Sequence, residues 1–284
     1  MGMLDELFLR SMDDVPEFTI LQAGTTSPER IPKEPYHDVM DRFRGSRILV
    51  CDPDEHLCDR ANRDRQPYDP ECFPVALGAH GQITPFYITK NTAWNSTYKP
   101  NEGVLRRYQN MADAMPESIA EITTVGIDEF VKEQGLNDID LLRIHLPWSG
   151  IKLLQSGEEV LKRALAVSIN VSMLPLYEDQ EMFGELCQYF SGHGFVFHKF
   201  IGLYGRTFNP VILKKDPDYV SNHLWCHAMF LKDILCIKKM NTAQLQKFAL
   251  IADMYGSTDV AMLALMAYDI KHGTQYGKVY GGLD

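Results

Sequence analysis

From Phe18 to Phe200, short apolar β-forming runs alternate with amphipathic, helix-like stretches, and no other feature of the sequence restricts the fold as much. FTILQA, the ILVC of SRILVCDPDE, ECFPVAL, QITPFYIT, EITTVGI, the LLRI that follows NDID, ALAVSINVSML, FVFHKF and NPVILKK read as strands. Pro74 marks ECFPVAL as an edge or strand-end segment. YHDVMDRF, the stretch after Pro53, VLRRYQNMADAM, GIDEFVKEQG, GIKLLQSGEEVLKRAL and YEDQEMFGELCQYFSGHG read as helices. Strands alternating with helices predict a doubly wound, mostly parallel sheet with helices on both faces.

From about Asp216 the texture changes. PDYVSNHLWCHAMFLKDIL, NTAQLQKFALIADMYG and STDVAMLALMAYDIKHG all read as helical, with Thr242 and Ser257 or Thr258 as caps. The expected organisation is therefore an α/β domain over residues 1–215 and a helical extension over 216–284. The extension offers a surface for homodimerisation.

The 284 residues carry a formal charge of −10, and their basic residues are scattered, which argues against a nucleic-acid or anionic-membrane surface. No apolar run reaches the eighteen residues that a membrane span needs. MGMLDELFLRSMDD lacks the basic flank and apolar core of a signal peptide. The six cysteines show no CxxC or other metal spacing. These features predict a cytoplasmic chain with reduced, buried thiols.

Several segments carry a family likeness. ILVCDPDEHLC, CFPVALG, NSTYKPN, LPLYEDQEMFGEL and HLWCHAMFLKDIL, in this order and spacing, resemble the FkbM family of S-adenosylmethionine-dependent methyltransferases. The resemblance implies the Rossmann-like class I methyltransferase fold with a seven-stranded sheet. It also implies S-adenosylmethionine as cofactor and a hydroxyl on a small-molecule or glycan-like acceptor. Gly24 supplies a tight turn after the first strand where backbone can approach a nucleoside, and a plain turn is its other reading. Asp52, at the end of the second strand, stands where a carboxylate can accept hydrogen bonds from both ribose hydroxyls, or can cap the helix after it. By resemblance, Ala76 lies beside the adenine. By the same resemblance, Trp94 and Asn101, in the loop around NSTYKPN, are expected to meet cofactor or acceptor.

RIHLPWSG, at residues 143–150, departs most from the family pattern, Lys-Ile-Asp-Val-Gln(or Glu)-Gly-Ala-Glu. Arg143 and Ile144 match in type, but His145 replaces the acid, Pro147 the Gln or Glu, Trp148 the glycine and Gly150 the last Glu. ILQAGTT likewise lacks the acid of the first strand, and INVSM places Asn170 and Ser172 at acidic positions. With so few carboxylates, a divalent cation held by oxygen ligands is not expected. Two readings remain. In one, His145 is the general base and Trp148 walls the acceptor. In the other, the site has decayed and the chain is a non-catalytic binding or scaffold protein. His223 and His227, four residues apart, would share a helix face, but with no glutamate or third ligand nearby they read as packing or surface residues.

Overall fold

The computed structural model describes residues 4, 16–24, 34–38, 42–43, 45–63, 65, 69–147, 150–211 and 222–282. Ten strands run in chain order: β1 (Thr19–Ala23), β2 (Arg47–Cys51), β3 (Glu71–Phe73), β4 (Ala76–Leu77), β5 (Ile83–Thr89), β6 (Pro116–Val125), β7 (Leu141–Ile144), β8 (Ala166–Ser172), β9 (Phe195–Gly205) and β10 (His223–Lys232). Seven form the main sheet in the order β3-β2-β1-β7-β8-β10-β9, and β4-β6-β5 form a small second sheet. β3, β2, β1, β7 and β8 are parallel, while β10 runs antiparallel to both of its neighbours. Described helices are α1 (Glu55–Asn62), α2 (Glu102–Leu105), α3 (Ile127–Glu133), α4 (Ile151–Gln155), α5 (Glu158–Arg163), α6 (Phe183–Gly192), α7 (Thr242–Met254), α8 (Thr258–His272) and α9 (Tyr276–Tyr280). This is the doubly wound α/β architecture expected.

Five local readings are corrected. HLWCHAMFLK, read as helix, is strand β10 and is inserted between β8 and β9. Leu224, Cys226, Ala228 and Phe230 are buried towards one face and Met229 and Leu231 towards the other, so no polar alternation marked the strand. The sheet therefore extends past residue 215, and the purely helical part begins with α7. VLRRYQNMADAM keeps only Val104 and Leu105 in α2, plus a 3-10 turn at Ala112–Ala114. GIKLLQSGEEVLKRAL breaks into α4 and α5 at Ser156-Gly157, where an added Cβ on Gly157 would lie 2.9 Å from Ile127. ECFPVAL divides at Pro74, with β3 on the edge of the main sheet and β4 in the small one. NPVILKK lies partly outside the described residues, and its described part, 209–211, is not strand.

The cysteine expectation also changes. Cys58 in α1 and Cys72 in β3 form a disulfide, while Cys51, Cys187, Cys226 and Cys236 are free thiols. The pair is fourteen residues apart and is brought together only by the packing of α1 on the sheet edge. No helix among the described residues is long and apolar enough to cross a membrane.

The sheet has two buried faces. Leu21, Leu49, Leu142, Ile144, Val167, Ile169 and Phe230 face Phe130, Leu154, Leu161 and Phe190 of α3 to α6. Ile20, Ile48, Val50, Leu141 and Met229 face Leu245, Phe248, Ala252 and Leu265 of the C-terminal helices. The helical extension is thus a covering layer of the sheet. Its apolar docking is pinned by one buried ion pair. Lys247 Nζ of α7 lies 3.0 and 2.9 Å from the two carboxylate oxygens of Asp140, just before β7. Asp140 Oδ2 also accepts the Thr19 N–H at 2.8 Å, at the start of β1.

Removing the carboxylate would leave a mostly buried ammonium and a backbone donor unpaired. Asp140→Ala should lower the unfolding free energy by about 3–5 kcal/mol, measured by urea denaturation. A loss within experimental error of zero would show that α7 is held by apolar contacts alone.

Candidate functional site

The carboxyl ends of β1, β2 and β7 meet at one edge of the sheet. Gly24 follows β1 with φ +85°, a left-handed conformation that a side chain would strain, and its N–H donates to Cys51 O of β2 at 2.8 Å. An added Cβ on Gly24 would stand 2.9 Å from Leu146, in the loop after β7, so only glycine lets the two strand ends approach. Asp52 sits at the end of β2. Its N–H donates to Phe73 O at 3.1 Å and its Oδ1 accepts the Asp54 N–H at 3.0 Å, while Asp54 itself caps α1. That turn orients the Asp52 carboxylate at the mouth of the strands, and a carboxylate has acceptor capacity beyond one bond. Ala76 is buried in β4, paired with Thr124 of β6, at the junction of the two sheets.

One residue inside this edge lies a buried polar array. Strand alternation directs Gln22, Arg143, His145, Asn170 and His227 to the face that carries the C-terminal helices. Both ends of the Gln22 amide are engaged: Nε2 donates to Gly24 O at 2.9 Å, and Oε1 accepts the Tyr36 hydroxyl at 2.6 Å. The Arg143 side chain is 0% exposed. Its Nη2 lies 2.5 Å from Glu34 Oε1 and 2.7 Å from His145 Nδ1. Glu34 Oε2 in turn accepts the hydroxyl of Tyr255, at the end of α7, at 3.2 Å. His145 packs on His227 with ring centroids 4.2 Å apart, and His227 on Tyr204, 5.1 Å away. Tyr204 stacks on Trp225, over which Arg206 also lies. Arg143 Nε and Nη1 and Asn170 Oδ1 are buried with no hydrogen-bond partner.

This geometry sets the chemistry of His145. A guanidinium can only donate, so Nδ1 must accept and the neutral ring carries its proton on Nε2. Burial first, then the positive charge of Arg143 and the neighbouring His227, holds His145 well below its ordinary 6.5. The lone pair that a general base would use is already engaged by Arg143. The site favours His145 as a neutral hydrogen-bond donor through Nε2, and the arrangement speaks against its expected role as base.

The remaining predicted residues fall in three places. Trp148 lies outside the described residues. Trp94 sits edge-on to Trp225 at 5.0 Å, so it adjoins the end of the aromatic row. Asn101 is a helix cap: its Oδ1 accepts the Val104 N–H at 3.3 Å and its N–H donates to Leu176 O at 2.8 Å, a structural role that competes with ligand contact. Sequence reasoning missed Gln180, whose Nε2 donates to Pro147 O at 2.6 Å while Ser172 Oγ donates to its Oε1 at 2.8 Å, tying the loop after β7 to the end of β8. It also missed Glu34, Tyr204 and Tyr255. Of His227 it saw only a helix-face pair with His223; the strand geometry of β10 instead brings His227 to His145. No group of three or more His, Cys, Asp or Glu side chains able to hold a metal ion occurs among the described residues.

Counting main-sheet strands in chain order gives 3-2-1-4-5-7-6 with the last strand reversed, and a glycine and an acid stand at the first two strand ends. That is the Rossmann-like class I methyltransferase fold. The methyltransferase FkbM domain family matches residues 30–197, more than half of the chain, and the chain belongs to it. Among solved structures it is similar to methyltransferase FkbM from Methylobacillus flagellatus KT, with 10% identity over 80% of this chain and a TM-score of 0.40. The chain covers 47% of that protein, less than half its length. It is also similar to the 23S rRNA methyltransferase ErmE, with 10% identity, 99% of this chain and 88% of that one covered, and a TM-score of 0.33. No curated protein matches the chain.

The histidine pair predicts a pH dependence. Burial, then Arg143, pushes His227 down to about 4. Between that value and about 6.5, where an unfolded histidine titrates, the unfolded chain takes up protons that the folded chain refuses. Stability should therefore fall as pH drops through this window, and the share of the fall due to His227 should be complete below about 4. His227→Gln should flatten the slope, measured as unfolding free energy from pH 7 to 4. An unchanged slope would mean that His227 titrates normally.

Proposed function

We propose that this chain is an S-adenosylmethionine-dependent methyltransferase that methylates a hydroxyl on a small-molecule or glycan-like acceptor. The observation that carries the reading is the pairing of Gly24 and Asp52 at adjacent strand ends, one leaving backbone bare and the other presenting a carboxylate. These residues fit the adenosyl half of the cofactor, with Asp52 holding the ribose and Ala76 at the adenine end. The methionyl half fits less well, because Gln22, His145 and Asn170 supply no negative charge for a cationic group, and the Gln22 amide already holds Gly24 and Tyr36. Bound there, S-adenosylmethionine supplies a methyl group that a hydroxyl oxygen takes by in-line displacement, the electron pair of the broken C–S bond staying on sulfur and the hydroxyl proton passing to water. The chain's own part is to orient the two reactants. Gln180 fixes the loop after β7 by donating to Pro147 O at 2.6 Å.

A second reading, a methyltransferase fold kept as a binding or scaffold subunit, is favoured by the engaged lone pair of His145 and the lost carboxylates. Either reading leaves the C-terminal helices as a surface for a second copy. Leu263, Met266 and Ile270, spaced along α8, are 41%, 47% and 80% exposed, which supports a homodimer.

Isothermal calorimetry should show micromolar binding of S-adenosylmethionine or S-adenosylhomocysteine. Asp52→Ala should weaken it about tenfold or more, the loss of a charge-assisted hydrogen bond worth ~1.5–3 kcal/mol. No binding at millimolar cofactor would select the scaffold reading. Light scattering of the wild type and Ile270→Glu should show a dimer and a monomer. A wild-type monomer would remove the dimer surface.

A further inference from the structure

A cavity of about 370 Å³ opens on the opposite side of the strand ends from the Arg143 array. Its walls come from the small sheet, the 97–99 segment, the start of α4 and the turn at 178–179. It adjoins the proposed cofactor end twice over. Leu77 in its wall directly follows Ala76, and Lys152 and Leu153 follow Gly150, the N-cap of α4. Gly150 is packed so tightly there that an added Cβ would come within 2.5 Å of both Tyr98 Oη and Glu181 Oε2. Tyr98, a wall residue, is fixed by donating to Glu181 at 3.2 Å. The floor is shaped by Gly78, where a Cβ would collide with Thr124 at 2.7 Å.

The lining selects a ligand class. Thr84, Thr97, Gln82 and Tyr87 offer groups that donate and accept, and the rings of Tyr87 and Tyr98 offer flat apolar surface. Two lysines, 99 and 152, face two carboxylates, Glu178 and Asp179, so the cavity has no net charge with which to select an ion. Lys99 and Glu178 already neutralise each other at 2.9 Å. Lys152 and Asp179 are exposed and hydrated, so a charged ligand would have to strip water from both sides of each contact. Hydroxyl groups, which both donate and accept, satisfy lysine, carboxylate, amide and threonine alike. The volume falls in the range of small-molecule sites, about 300–1,000 Å³.

We propose that this cavity binds a neutral, polyhydroxylated ring ligand of one or two rings. Its place beside Gly150 and Ala76 makes it the acceptor subsite, a role that rests on the methyltransferase reading above, whereas ligand binding itself does not. The acceptor pocket is then built from the small sheet and Tyr98, rather than from Trp94 and Asn101.

Saturation-transfer NMR on the full chain tests this with methyl glucoside, methyl galactoside, methyl mannoside, methyl fucoside, maltose and inositol, against glucosamine and glucuronate. At least one neutral member should bind, and Thr84→Trp should weaken it about tenfold or more. Thr97→Phe serves as a second filling variant should Thr84→Trp not fold. Calorimetry with S-adenosylhomocysteine on the same proteins should give unchanged affinity. The proposal is overturned when no neutral member binds, when only glucosamine or glucuronate binds, or when neither filling variant weakens binding. Sugar binding that the filling variants abolish, with no S-adenosylhomocysteine binding at millimolar concentration, would keep the cavity and sink the methyltransferase reading instead.

Discussion

The buried contact between Arg143 and Glu34 organises the middle of this molecule. A guanidinium with no solvent exposure is tolerable only where an opposite charge and good hydrogen bonds meet it. Glu34 supplies the charge from the segment between β1 and β2, and its second oxygen takes the hydroxyl of Tyr255 from the helical extension. The same guanidinium group fixes the tautomer and orientation of His145. One ion pair therefore couples the fourth main-sheet strand, the flank of the proposed cofactor loop and the C-terminal layer. Loosening the extension would disturb the strand-end site without touching it directly.

The strand ends around that pair are poor in acid. By the family resemblance His145, Asn170 and Ser172 stand at acidic positions, and His145 and Ser172, like Gln22 in the first strand, have neutral roles. Gln22 closes the turn at Gly24 and braces Tyr36, and Ser172 holds Gln180. His145 packs on His227. These substitutions hang together as a set: a buried arginine and a neutral histidine pair suit each other, whereas a buried carboxylate at 145 would compete with Glu34 for Arg143. The unpartnered atoms of Arg143 and Asn170 are what this rearrangement leaves unsatisfied.

How much of this could be read from the sequence follows from how local each signal is. Buried strands such as ILVC and ALAVSI, the capped helix after Asp54 and the order of the family-like segments are local, so the doubly wound sheet was legible. β10 was not, because a strand apolar on both faces carries no period of two and HLWCHAMFLK also satisfies a helical pattern. Gly24 and Asp52 were legible as strand-end residues. Glu34, Tyr204, Gln180 and Tyr255 were not, since Glu34 and Tyr255 acquire their roles from partners 109 or more residues away, Tyr204 from residues across the β9–β10 pairing, and Gln180 from partners at two strand ends. Asn101 shows the opposite failure: a motif-like position whose side chain is used up as a cap.

The sequence alone determined the alternation of elements, and with it the parallel sheet, because burying one face of each helix on a hydrophobic sheet has few solutions. It also determined that the strand ends would be poor in carboxylate. Only the tertiary structure decided where the replacement residues point. It put His145 against Arg143 and His227, made the C-terminal helices a covering layer, and opened a hydroxyl-lined cavity beside Gly150. Charge, tautomer and cavity shape are set by neighbours distant in the chain, and a linear pattern does not encode which neighbours meet.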